Sequence, residues 1–116
     1  MSQTNSWVEI KMNEITLTAN IRKMLKREFP AMYVQRVSDK FLSGLPDLRL
    51  ISYGLSGDIE VKFNGGRTSP IQDKVLENIA KAGGAFTVVY SIEEARLFAV
   101  RLQRAGQQYE QWRSLQ

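Results

Sequence analysis

Residues 44–72 read GLPDLRLISYGLSGDIEVKFNGGRTSPIQ. Pro46-Asp47 opens an apolar run to Tyr53 that predicts a strand, Tyr53–Gly57 reads as a glycine-bounded turn, and Asp58–Phe63 as a second strand. Side chains alternate across a strand, so Ile59, Val61 and Phe63 share one face while Glu60 and Lys62 share the other. A carboxylate and an ammonium on one face are costly to bury without partners, which predicts that this face lines a cleft or meets solvent. Asn64-Gly65-Gly66-Arg67-Thr68 is a basic loop. Ser69-Pro70 then starts a helix, with Ser69 as N-cap, Pro70 at the first helical position and Gln72 in the first turn.

Upstream, Ile15, Leu17, Ile21, Met24, Leu25 and Phe29 recur at helical spacing, which predicts a helix from Asn13 to the stop at Pro30. Arg22, Lys23, Lys26 and Arg27 cover much of its other side, as a solvated face or as a face for phosphates. Tyr33–Val37 alternates as a half-buried strand does. Downstream, Ile71, Val75, Leu76 and Ile79 form the apolar stripe of the helix that ends at Gly83-Gly84. Ala85–Tyr90 has the near-continuous apolar character of a strand covered on both faces. Ser91 caps a last helix bearing Ile92, Ala95, Leu97, Phe98 and Leu102. Helix, three strands, helix, strand, helix is the order of an α/β sandwich around a small mixed sheet, its final strand returning through a right-handed crossover to lie parallel to a central strand. We expect one domain over residues 1–116, with residues 1–8 as a loose lead-in and a tail from residue 106 that can extend the last helix. Trp7, Tyr109 and Trp112 can pack on the domain or on a partner.

The chain has 116 residues, 16 basic against 12 acidic, for a net charge of +4. A basic balance favours an anionic partner, nucleic acid above all. With no cysteine and no histidine, there is no thiolate nucleophile, no Ser-His or Cys-His pair and no zinc-type ligand set; any metal must be held by oxygen. No segment has the length and apolarity of a signal peptide or membrane span, so a cytoplasmic protein is expected.

Hairpin pairing brings Asp47 and Glu60 within reach of one ion. Two carboxylates, a backbone carbonyl and water suit Mg²⁺ or Mn²⁺. Lys62, on the Glu60 face, can orient a water and stabilise charge on a phosphoryl oxygen. Gln72 can hydrogen-bond that water or a phosphate, and Arg67 with the helix N-terminus at Ser69 forms an anion site. Taken singly, a Pro-Asp pair at a turn or a Glu-x-Lys on a strand is ordinary surface chemistry; the pieces gain weight because the elements place them on one side.

GLPDLRL, IEVKFNGGRTSPIQ and KAGGAFTVVYS together resemble the VRR-NUC branch of the PD-(D/E)xK nucleases over about half the chain, Gly44 to Ser91. The resemblance implies a restriction-endonuclease-like α-β-β-β-α-β core with an added C-terminal helix, and a divalent-metal-dependent endonuclease. It makes Asp47 and Glu60 metal ligands with the Val61 carbonyl, Lys62 the catalytic lysine and Gln72 an additional active-site residue. It also implies a first-helix glutamate at the metal or its water: Glu14 by position, with Glu9 as the alternative and Glu28 too near the helix end. Arg67, Lys40, Ser69 and Arg36 are the expected DNA-backbone contacts. Stand-alone domains of this type suggest branched or junction DNA as substrate and a twofold homodimer, with Trp7, Trp112 or the last helix at its interface. The other functional class open to this sequence is a basic DNA-binding accessory module that keeps the fold without turnover.

Overall fold

The computed structural model describes residues 6–38 and 44–116. The elements follow the order α1 (Ser6–Glu28), β1 (Tyr33–Arg36), β2 (Leu48–Ser52), β3 (Leu55–Val61), α2 (Pro70–Lys81), β4 (Ala85–Val89) and α3 (Ile92–Ser114). The strands form one mixed sheet in the order β1-β2-β3-β4. The β1–β2 and β2–β3 pairs are antiparallel, and β4 joins β3 in parallel, as a strand returning through the α2 crossover should.

The hairpin is tighter than its sequence suggested. Tyr53 (φ 49°) and Gly54 (φ 87°) both take positive φ, the geometry of a two-residue turn whose twist matches that of the strands it joins. β3 therefore starts at Leu55 rather than Asp58, and Leu48 pairs with Ile59, Arg49 with Asp58 and Leu50 with Gly57. The ladder continues one step past β2, because the Asp47 N–H donates to the Ile59 carbonyl at 3.0 Å. That step sets Asp47 across from Glu60.

One face of the sheet carries the core. Leu48, Leu50, Ile59 and Val61 pack with Ile21, Met24 and Leu25 of α1, with Phe29 just past its end, and with Ala95, Ala99 and Leu102 of α3. Arg96 of α3 holds Glu28 of α1 through two hydrogen bonds, at 2.8 and 2.9 Å, and pulls the Glu28 carboxyl down to about 2. Glu28 thus clasps two helices.

Several local expectations are corrected. α1 begins at Ser6, so residues 6–8 are helical; no breaker separates Trp7 from Asn13, and a nucleated helix propagates through such residues. Ile15, Ile71 and Leu97 are more than half exposed, since the sheet is too short to cover the whole apolar stripe of each helix. β4 is an edge strand that both α2 and α3 contact, but its first residues, Ala85 and Phe86, are exposed. The last helix does extend into the tail, as the sequence allowed: α3 runs through Gly106 to Ser114. Gly106 is buried there because a Cβ would stand 2.3 Å from the Ser52 carbonyl oxygen, so glycine lets α3 cross the hairpin end in backbone contact. None of the described helices is long and apolar enough to cross a membrane.

Candidate active site

The face opposite the core is polar, and its acidic end lies where β2 begins and β3 ends. The cleft expected around Glu60 and Lys62 is nearly closed: they retain 2% and 5% of their exposure. Partners make this tolerable. The Lys62 ammonium stands 3.3 Å from Glu60 Oε2 and 3.8 Å from Glu14 Oε1, bridging β3 to α1. Gln72 donates through Nε2 to Glu60 Oε2 at 2.6 Å, and the Val61 N–H donates to Asp47 Oδ2 at 2.7 Å.

Gln72 is held from both sides. Its Oε1 accepts the Ser69 N–H at 2.9 Å while its own N–H donates to Ser69 Oγ at 3.2 Å, a reciprocal capping box. The side-chain oxygen being engaged, the amide nitrogen turns towards Glu60. The signal that starts α2 is therefore also what orients a site residue. The basic loop is pinned as well, since the Tyr90 hydroxyl donates to the Gly66 carbonyl at 3.0 Å.

The charges do not balance. Glu14, Asp47 and Glu60 face one Lys62, a formal excess of two negative charges. Burial and the adjacent Asp47 push the Glu60 carboxyl up to about 8, with Lys62 opposing. Among the described residues, Glu60 Oε1 is buried without a hydrogen-bond partner. An unpartnered carboxyl oxygen beside a carboxylate, in a site that keeps surplus negative charge even with Glu60 protonated, fits a hard divalent cation. Among the described residues no cluster of three or more acidic, histidine or cysteine ligands forms. The protein would therefore supply Asp47, Glu60 and backbone oxygen, with water completing the shell, which is how Mg²⁺ is commonly held.

Of the three glutamates weighed for the first helix, the fold brings Glu14 to Lys62; Glu9 is exposed in the first turn and Glu28 is tied to Arg96. Arg67 is exposed on the loop before α2. Arg36 lines a cavity of about 170 Å³ that also reaches Glu14 and Asp47. Lys40 and the Trp7 side chain lie outside the described residues. Sequence reasoning missed the Arg49–Asp58 pair, bonded at 2.9 and 3.3 Å two residue pairs along the ladder from Asp47 and Glu60. The two-residue turn at Tyr53-Gly54 was the signal that would have set these charges opposite each other.

No family model and no curated protein matches the sequence. Among solved structures, one described as "VRR_NUC domain" is similar at 27% identity with a TM-score of 0.58, over 71% of this chain and 92% of that one.

Proposed function

The chain carries a VRR-NUC domain, a fold of the nuclease superfamily, and from that premise we propose that it is a divalent-metal-dependent endonuclease acting on DNA phosphodiesters. The observation that carries this reading is the unbalanced site: two adjoining carboxylates, one with a buried unpartnered oxygen, beside a lysine held between acids. Asp47, Glu60 and the Val61 carbonyl would hold Mg²⁺ or Mn²⁺, which would supply Lewis-acid polarisation of the scissile phosphate and a more acidic water. Lys62 directs its ammonium at the phosphoryl oxygens as charge accumulates in the transition state. Gln72, locked by the Ser69 cap, keeps Glu60 in place and orients the water. Glu14 holds Lys62 from the α1 side. Arg36, Arg67, Lys40 and Ser69 contact the flanking backbone.

Nothing in the described site presents a helix or hairpin shaped to read base edges, so we favour branched or junction DNA over a specific sequence. Paired cuts on such a substrate suit a twofold dimer, for which the exposed, mutually stacked Tyr109 and Trp112 on α3 supply a surface. The test is incubation of supercoiled, linear and four-way-junction DNA with Mg²⁺ or Mn²⁺, comparing the parent with Lys62→Ala and Asp47→Asn. Metal-dependent cutting that both substitutions abolish supports the proposal. Binding without cutting by the parent, or equal cutting by the variants, overturns it.

A further inference from the structure

Arg22 has no assigned role, yet its surroundings are unusual. It lies eight residues after Glu14 on the same stripe of α1, which also carries Thr18. Its Nε is buried and, among the described residues, has no hydrogen-bond partner. A guanidinium N–H removed from water without an acceptor is disfavoured, so the position is one that a ligand completes. The cavity of about 170 Å³ beside it is lined by Lys11, Arg22 and Arg36 together with Glu14, Thr18 and Asp47. Among the described residues none of these three cations forms an ion pair. Of the two acids in the lining, Glu14 stands 3.8 Å from the Lys62 ammonium and Asp47 accepts the Val61 N–H. The cavity is thus a recess in which three cations outnumber two acids, joined to the carboxylate site.

We propose that this recess binds one backbone phosphate of the nucleic-acid strand whose scissile phosphodiester lies at Asp47 and Glu60, with Arg22 as the principal donor and Arg36 beside it. The proposal rests on the nuclease reading for the position of the scissile phosphate. A planar guanidinium is suited to phosphate oxygens. Eight residues of helix at about 1.5 Å each separate Arg22 from Glu14 by about 12 Å. With a strand rise of about 3.4 Å per nucleotide, the recess meets a phosphate roughly three nucleotides from the one at the carboxylates. Arg22 is therefore a positioning residue that sets the register of the strand.

The test is binding of a fluorescent DNA oligonucleotide by the full chain in EDTA, where no metal-dependent cutting occurs. We compare the parent, Arg22→Gln, Arg22→Met and a surface control of equal charge change, Arg104→Gln. Both Arg22 variants should bind at least tenfold more weakly than the control, and the slope of log affinity against log salt should shrink by about 0.9, the loss of one phosphate contact on a duplex. A neutral methylphosphonate walked along the strand should weaken the parent at one position that no longer matters to Arg22→Gln. Arg22→Met removes an unpartnered buried donor and should melt no lower than the parent. Affinity and salt slope like the control, or a variant that melts well below the parent, marks Arg22 as a surface or structural residue and overturns the proposal. A parent that binds with this signature but never cuts DNA sinks the nuclease reading and leaves the recess intact. Cutting without any effect of Arg22 on binding does the reverse.

Discussion

Glu60 carries the tension of the site. Its carboxyl is buried among groups that include Asp47, and its pKa stands at about 8 against an ordinary 4.5. The folded chain therefore holds a proton there that the unfolded chain has released, from pH 4.5 to about 8. Stability from this source is complete below pH 4.5 and drains away as pH rises through the window, because in it the unfolded state binds fewer protons. The metal-free protein should melt several degrees lower at pH 8.5 than at pH 5.5, and Glu60→Gln, which stays neutral, should flatten that dependence in calorimetry. An equal slope in the variant would show that Glu60 is not the group responsible. Mg²⁺ or Mn²⁺ stabilises the ionised form, so the thermal shift it produces in the parent should grow with pH over the same interval. Lys62→Ala belongs to the same balance. It removes the cation between Glu14 and Glu60 and should cut the rate of DNA hydrolysis by about 10²–10³, the usual cost of losing one charge-stabilising donor. A single-turnover assay reads that loss.

At the level of elements, what the sequence revealed depended on whether a signal was local. The shared face of Glu60 and Lys62 follows from the period of a strand, and the helix start at Ser69-Pro70 from capping chemistry; both stand in the structure. The Arg49–Asp58 pair was hidden because it depends on register, which turns on whether the chain reverses at Tyr53-Gly54 or across residues 53–57. Arg22 was hidden among four cations of one helix, since only the third dimension buries its Nε and leaves it unpartnered. That α3 needs a glycine at 106 was hidden because the contact that requires it comes from Ser52, far away in sequence. That contact supports a prediction. Gly106→Ala gains helix propensity but drives a methyl into the Ser52 carbonyl, and should cost about 1–3 kcal/mol, as overpacking does, in urea denaturation. A stabilised variant would mean that α3 can lift off the hairpin freely. Ser69→Ala should cost about 1 kcal/mol through the lost cap. It should also lower the turnover rate beyond what that loss of stability explains, because the capping box is what aims Gln72 at Glu60.

On the scale of the whole molecule, the chain is longer than a compact body of its length. Its radius of gyration is 15.5 Å and its extents are 62 × 30 × 22 Å, where a compact domain of this length would have a radius of roughly 13 Å. α3 contributes by continuing past its last buried contact at Gly106 to Ser114, and there it exposes Tyr109, Trp112 and, just beyond, Leu115 at 40%, 57% and 82%. These residues recur every three positions, so they fall along one side of the projecting turns, and Tyr109 and Trp112 stack with ring centroids 6.0 Å apart. An aromatic ridge left in water on a projecting helix is poorly used by a monomer, whereas two such ridges related by a twofold axis cover each other. The arrangement also leaves the Lys62 site clear, since the ridge adjoins the Tyr53-Gly54 turn at the end of the hairpin away from Asp47 and Glu60. Light scattering at micromolar concentration should therefore give a species of twice 13.2 kDa, and Trp112→Glu should give the 13.2 kDa protomer with its far-ultraviolet spectrum unchanged. If the proposed paired cutting follows from that symmetry, the same variant should still nick a four-way junction while losing the coordinated second cut, which a cruciform plasmid assay separates as nicked rather than linear product. A parent that runs at 13.2 kDa, or a variant that still makes both cuts together, would place the second site elsewhere than on a partner joined through α3.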